Sequence, residues 1–139
     1  MRPLPRPRGR WPIRAEIRLA PSPASAREAR CFVAGTLSQW GNTQLVEAAA
    51  LLVSELVTNA ITHARSEVHV VIGHGGNFAV LRVEVRDFSA EPPTLGRFDL
   101  DAISGRGLAL VEALSDRWGV ETHSSGKRVW FELADTPGS

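Results

Sequence analysis

The sequence predicts an α+β fold, a two-layer sandwich in which helices pack on one face of a mixed, mostly antiparallel sheet. Three observations support this class. Residues 13–19 and the later part of 78–87 alternate apolar and polar side chains, two long segments repeat apolar residues at helical spacing, and helices and strands are not strictly interleaved. A chain of 139 residues, of which 43% are hydrophobic, is enough for one domain with a sizeable core.

The first half of the chain is predicted to hold one strand and two helices. The strand covers residues 13–19, where apolar side chains at odd positions alternate with charged ones. In the helix that follows, Ser22 is the predicted N-cap with Pro23 at the first helical position, and Ser25 and Glu28 have the spacing of a capping box. A Gly-Asn pair ends the helix near Trp40. The second helix covers residues 43–64, because its apolar residues recur every three or four positions.

The second half changes to a strand pattern interrupted by one loop and one helix. A long stretch rich in proline, glycine and acidic residues lies in its middle, and a loop of this length in a compact domain is usually functional or mobile. The predicted elements are a strand at 68–72, a strand at 78–87, a loop to about 104, a helix from 105 to about 117, and strands at 120–123 and 129–133.

The ends of the chain are predicted to lie outside the domain. Residues 1–12 are rich in proline and arginine and are expected to form a disordered basic tail, and residues 135–139 are expected to fray. The domain itself then covers residues 13–134. The first 19 residues carry six arginines against Glu16, a net charge of +5, whereas the rest has ten basic and fourteen acidic residues, a net charge of −4.

Composition excludes several kinds of protein. The net charge of +1 gives no reason to expect direct nucleic-acid or membrane binding. Because no apolar run reaches 18 residues and the N-terminus is too charged for a signal peptide, we expect a cytoplasmic protein. The single cysteine, Cys31, excludes an intramolecular disulfide and any multi-cysteine metal site. The single lysine, Lys127, excludes a Walker-type phosphate loop, which needs lysine at a helix start.

Three groups of residues could carry chemistry. Glu55, Asn59 and His63 are spaced by four and share one face of the second helix, although such a stripe is usually a solvated face. Asp87 ends a strand, where aspartate is usually a turn or cap residue. The segment 104–107 reads S-G-R-G directly before a helix, and glycine backbone at a helix start favours anions.

Together these groups resemble the GHKL superfamily of ATPases and kinases, which share the Bergerat nucleotide-binding fold. The segment ELVTNAITHA resembles the N box, VEVRDFS the first glycine box, SGRGLALV the second, and SSGKRVWFEL the last strands of a small bacterial subgroup. That subgroup is the anti-sigma factor serine/threonine kinases, which are abundant in actinobacteria. The resemblance extends over about residues 13–134.

The resemblance implies a role for each motif residue. Asn59 would ligate Mg²⁺ through its amide oxygen, and Glu55 would be the general base on an incoming hydroxyl. Asp87 would accept a hydrogen bond from the exocyclic amine of adenine, and residues 89–104 would form the ATP lid. His63 would serve either in packing or as a further polar contact. The remaining nucleotide contacts implied by the resemblance are Ser89, Ser104, Gly105, Arg106, Gly107 and Leu108.

The sequence departs from the family pattern at three places. The first glycine box, D-x-G-x-G in the family, has Ser89 and Glu91 in place of both glycines. Arg128 stands where the family has a threonine that supports the adenine-binding aspartate or its water. Ile103 stands where kinase members often have arginine.

The resemblance implies a kinase that uses ATP and Mg²⁺ to phosphorylate a hydroxyl on an anti-anti-sigma factor and that also binds a sigma factor. It also implies a possible homodimer. An alternative is a nucleotide- or protein-binding regulatory module of the same fold that transfers no phosphate, which the missing glycines favour. A third reading is the catalytic domain of a sensor histidine kinase, although only a strand and one helix are predicted before residue 42.

Overall fold

The computed structural model describes residues 11, 13–75, 80–88 and 106–134, with the backbone only for residues 106–108. Within these described residues, five strands and three α-helices form a single layer of sheet and a single layer of helices. Their bounds are β1 Ile13–Leu19, α1 Ser25–Trp40, α2 Val46–Ala64, β2 Val68–His74, β3 Val80–Asp87, α3 Arg106–Leu114, β4 Arg117–His123 and β5 Gly126–Ala134, with a 3₁₀ turn at Thr43–Leu45 before α2.

The strands form one sheet in the order β1-β2-β3-β5-β4, and each neighbouring pair is antiparallel. The predicted α+β sandwich is therefore confirmed, and within the described residues its sheet is fully antiparallel rather than mixed. The register between β3 and β5 places Val85 opposite Val129 and Asp87 opposite Lys127. This pairing fixes which side chains meet at the end of β3.

The core lies between the helices and one face of the sheet. Residues such as Leu52 and Leu56 on α2 pack with alternate residues of the strands, and Phe131 on β5 is the largest fully buried side chain among the described residues. The segment Thr43–Ala64 is long and apolar enough by composition to cross a membrane. Because its apolar stripe is buried in this core, packing within the domain accounts for its composition.

The start of α1 differs from the prediction. The helix begins at Ser25, which is buried and donates its hydroxyl to the Ala20 carbonyl at 2.6 Å. The predicted capping box of Ser25 and Glu28 is therefore wrong. Instead, the Ser22 hydroxyl accepts a hydrogen bond from the Ala24 backbone N–H at 3.2 Å, and Gly41 ends the helix in the left-handed conformation, as expected.

The boundaries after α3 also differ from the prediction. The helix ends at Leu114 rather than near Arg117, since the Asp116 backbone N–H donates to the Glu132 carbonyl and starts the pairing of β4 with β5. Strand β5 begins three residues earlier than predicted, at Gly126. In both places strand pairing outweighs the local sequence pattern.

The outer face of the sheet, which points away from the helices, carries paired charges. Its centre is Glu84, whose carboxylate lies within 3.5 Å of the guanidinium groups of Arg82, Arg86 and Arg128. Burial alone would raise the pKa of Glu84, but hydrogen bonds from Arg82 and Arg86, together with the neighbouring positive charges, lower the pKa below its ordinary value. Arg82 also stacks on the Trp130 ring, 4.1 Å from its centroid.

Candidate functional site

The polar stripe of α2 borders the core and does not lie wholly in solvent. Glu55 and Asn59 are half-buried, one helical turn apart, whereas His63 in the last turn is exposed. The intervening Leu56 and Ala60 are buried against the sheet. Glu55 and Asn59 therefore lie at the border with the layer of strands, whereas His63 is exposed to solvent.

Asp87 lies at the end of β3 on the face that is covered by the helices. Along this strand Leu81, Val83 and Val85 are buried, and the same alternation brings Asp87 inward, with 4% of its surface exposed. The following residue is anchored as well, since the Phe88 backbone N–H donates to the Ser66 hydroxyl at 3.0 Å. A buried carboxylate at a strand end is therefore held by the regular geometry of the sheet.

Asn59 and Asp87 line one small pocket between α2 and the sheet. The pocket has about 240 Å³ of empty space, part of which is open solvent. Its walls are apolar and three polar side chains line it, although it is smaller than the usual small-molecule pocket of about 300–1,000 Å³. The lining residues are Leu56, Asn59, Ala60, Val85, Asp87, Lys127 and Val129.

Lys127 is the third polar residue of this pocket. Its Nζ lies 3.5 Å from Oδ2 of Asp87, and the two residues are paired across β3 and β5. The next residue, Arg128, lies on the opposite face of the sheet, where it pairs with Glu121 and Glu84. Arg128, which stands where the family has a supporting threonine, therefore does not lie beside Asp87, because the strand alternation places Lys127 there.

Gly126 allows β5 to begin close against the end of β3. Its φ is +149°, and a Cβ at this position would lie 2.1 Å from the Asp87 carbonyl oxygen. Any larger residue would have to move the backbone that carries Asp87. Glycine here keeps the carboxylate and the lysine in one pocket.

The amide of Asn59 fits the role of a ligand for a cation or a nucleotide. Its Nδ2 is buried and has no hydrogen-bond partner within the part of the chain that the structure describes. Such a buried polar group costs free energy unless a ligand satisfies it. Because the two ends of a carboxamide are exchanged by a rotation of 180°, the same position can present the oxygen that Mg²⁺ prefers.

No cluster of three or more His, Cys, Asp or Glu side chains that could hold a metal occurs in the described ranges. A metal ion at Asn59 would therefore need most of its ligands from elsewhere. Mg²⁺ commonly binds in this way, with one or two protein oxygens, several waters and the phosphates of a substrate. The residues present thus fit Mg²⁺ that arrives with a nucleotide.

The structure brings together two of the predicted site residues, Asn59 and Asp87, in one pocket, and it places Glu55 one turn from Asn59. His63 is exposed and does not line the pocket. Arg106, Gly107 and Leu108 open α3, but their side chains are not described. Ser89, Ser104 and Gly105 lie outside the described residues.

Sequence reasoning missed Lys127 as a site residue. A usable signal was present, because Val129, Phe131 and Leu133 are apolar at alternate positions, so that Lys127 shares their face of β5. From the sequence pattern alone, the apolar walls of the pocket are expected to be core residues. Their second role depends on the register between β3 and β5, which the sequence does not state.

Comparison with known proteins agrees with this geometry. The model of the histidine kinase-like ATPase domain matches residues 19–133. Among solved structures, the RsbU and RsbW domains of Rv1364c from Mycobacterium tuberculosis superpose with a TM-score of 0.69 at 20% sequence identity, over 88% of this chain and 32% of that one. This chain thus spans about a third of the length of that structure. The search of curated proteins gave no significant match.

The family match covers β2, β3 and β4 in full and β5 except for Ala134, but only Leu19 of β1. It contains every residue that lines the pocket. An ATPase domain binds ATP, and the pocket has the mixed apolar and polar character that a nucleobase needs. From the match over residues 19–133 we conclude that the chain belongs to the family of histidine kinase-like ATPase domains, which is the GHKL superfamily.

Proposed function

We propose that this protein is an ATP-dependent serine/threonine protein kinase of the anti-sigma type. It would phosphorylate an anti-anti-sigma partner and thereby regulate a sigma factor. The observation that carries the proposal is the pocket in which the buried carboxylate of Asp87 and the unsatisfied amide of Asn59 converge, one helical turn from Glu55. This is the arrangement that the family motifs imply for a nucleotide beside a general base.

In this proposal each residue does a separate task. Asp87 accepts a hydrogen bond from the exocyclic amine of adenine, which guanine lacks because it has an oxygen there. Asn59 would hold Mg²⁺ through its amide oxygen, and the ion would neutralise charge on the phosphates. Backbone N–H groups at the start of α3 would contact the phosphates, since a helix N-terminus favours anions.

Glu55 would act on the attacking hydroxyl. The hydroxyl oxygen of a serine or threonine on the partner forms a bond to the γ-phosphorus as the bond to the bridging oxygen breaks, and ADP leaves. The hydroxyl proton passes to the Glu55 carboxylate. Phosphoryl transfer depends mostly on positioning and charge neutralisation, so a carboxylate one turn from the metal-binding residue is sufficient.

The test is transfer of the γ-phosphate from labelled ATP to a candidate anti-anti-sigma protein. Glu55→Gln should lower the rate by between about a hundredfold and about ten-thousandfold, because the general base is lost. Glu47→Gln is the matched control, since Glu47 lies exposed in the first turn of the same helix. Transfer by the Glu55→Gln protein at the wild-type rate would contradict the proposed role.

A second candidate is a nucleotide-binding regulatory module without phosphotransfer. It is favoured by the absence of both glycines of the first glycine box. In the same assay, this candidate predicts ATP binding without label on any partner. A label that is lost in acid would instead indicate phosphohistidine and the sensor-kinase reading.

The partners, the location and the assembly are parts of the same proposal. We expect a cytoplasmic protein that binds an anti-anti-sigma factor and a sigma factor, with homodimerisation by analogy with the family. Affinity capture from a native cytoplasmic extract with and without ATP tests the first part. Light scattering of the purified protein tests the second.

A further inference from the structure

The pocket between α2 and the sheet contains one feature that the family motifs do not account for, the lysine of β5. Lys127 is the only lysine in the chain. Its side chain is 20% exposed, and its Nζ lies 3.5 Å from Oδ2 of Asp87, whose side chain is 3% exposed. Both groups line the same pocket as Asn59 and the apolar residues around it.

The two groups lie close enough together for one planar ligand to contact both. A short charge-assisted hydrogen bond between ammonium and carboxylate measures about 2.7–2.9 Å, so that 3.5 Å is an ion pair in loose contact. An ammonium group has three donors, and a carboxylate has up to four acceptor positions. The pair therefore presents an acceptor and a donor side by side within an apolar pocket.

An acceptor beside a donor complements one edge of adenine. The exocyclic amine of adenine is a donor, and a ring nitrogen that accepts lies next to it on either side. A carboxylate can accept from the amine while an ammonium donates to the adjacent ring nitrogen. The apolar walls, which include Leu56 and Val129, suit the faces of the flat ring.

We propose that Lys127 is a second base-reading residue, which donates a hydrogen bond to a ring nitrogen of adenine while Asp87 accepts from the exocyclic amine. This inference rests on the proposed ATP site. It assigns base recognition to a pair of side chains from β3 and β5, in which the single lysine of the chain contributes to binding. The alternative is that Lys127 competes with the base for Asp87. In that case, removal of Lys127 would strengthen ATP binding instead of weakening it.

Measurements of ATP and adenosine affinity for Lys127→Met distinguish the two possibilities. Arg128→Met is the matched control, because it removes a cation from the adjacent residue on the opposite face of the sheet. We expect Lys127→Met to weaken both ATP and adenosine binding by about tenfold, the value of one good base contact. Arg128→Met should leave both unchanged.

The ligands separate a base contact from a phosphate contact. If Lys127 reads the base, ATP and adenosine lose the same factor, whereas a loss confined to ATP would place the ammonium at the phosphates and overturn the proposal. Tighter ATP binding by Lys127→Met would show competition for Asp87 and would also overturn it. Lys127→Gln keeps a donor beside Asp87 and should bind with intermediate affinity, which guards against a folding defect of the methionine variant.

Base analogues identify the contacted atom. Wild-type protein should bind either 1-deaza-ATP or 7-deaza-ATP about tenfold more weakly than ATP, and this penalty should disappear in Lys127→Met. A penalty that persists in the variant, or no penalty with either analogue, would overturn the proposal. If the wild-type protein binds neither ATP nor adenosine, the proposed ATP site itself is wrong, an outcome that differs from unchanged binding by the Lys127 variants.

Discussion

The two faces of the β3–β5 pair carry similar charged residues but differ in how completely these residues are paired. On the outer face Glu84 has three arginine partners within 3.5 Å, and two of them, Arg82 and Arg128, have further carboxylate partners in Glu132 and Glu121. On the inner face Asp87 and Lys127 are in loose contact beside the Asn59 amide, whose Nδ2 has no partner among the described residues.

The difference teaches that charge alone does not mark a binding site. The outer face has more charged groups, but these groups satisfy one another through ion pairs. The inner face has fewer polar groups, and the Asn59 Nδ2 there has no partner among the described residues, which is costly unless a ligand binds. The predictions below test whether the two faces differ in this way.

The largest expected effect concerns packing on the two faces of β5. Phe131→Ala should lower the free energy of unfolding by about 4 kcal/mol, because Phe131 is fully buried in the core. Trp130→Ala, at the neighbouring position on the outer face, should cost less than half as much, since Trp130 is half-buried and stacks on Arg82. Urea unfolding of both variants measures the difference. Equal losses would mean that the outer face contributes to the core as much as the inner one.

A smaller effect is expected at the centre of the outer face. Glu84→Gln should lower the stability at pH 7 by about 2 kcal/mol, because it removes charged hydrogen bonds with Arg82 and Arg86. The folded protein lowers the pKa of Glu84, so the carboxylate contributes its stabilisation above its ordinary pKa of 4.5 and loses it as pH falls through the lower folded pKa.

Unfolding measured as a function of pH tests this predicted loss of stabilisation on acidification. The difference between wild type and Glu84→Gln should be full at pH 7 and should shrink below about pH 4. Glu47→Gln, a change at an exposed position, should show no such dependence. A difference that grows on acidification would contradict the pairing described for the outer face.

The smallest effect on stability is expected at the inner face. Asn59→Leu keeps the size of the side chain and removes a buried amide whose Nδ2 has no partner among the described residues. The protein without nucleotide should therefore be as stable as wild type or up to about 1 kcal/mol more stable. A clear loss of stability in thermal unfolding would make Asn59 a structural residue.

Much of the fold could be predicted from the sequence, because alternation in β1 and β3 and helical spacing in α2 are strong local signals. The start of β5 could not, since Gly126 and Lys127 lack an apolar pattern and form a strand through pairing with β4 and, at Lys127, with β3. The end of α3 was placed too late for a similar reason. Arg117 continues a polar pattern that suits a helix, but its backbone pairs with β5.

The candidate site was predictable in part. Spacing placed Glu55 and Asn59 on one helix face, and the family motif added Asp87. The sequence could not show that Lys127 rather than Arg128 meets Asp87, because a shift of one residue along a strand exchanges its two faces. The sheet register decides this question, and it depends on Gly126, whose missing side chain lets β5 approach β3.

The most direct test of the central claim is calorimetric titration of ATP into wild type and Asn59→Leu, each with Mg²⁺ and with a chelator. The account predicts that wild type binds ATP and that Mg²⁺ strengthens this binding. It also predicts that folded Asn59→Leu loses at least about tenfold in affinity with Mg²⁺ and becomes insensitive to the ion. Equal, Mg²⁺-dependent affinity of the two proteins would contradict a nucleotide site centred on Asn59.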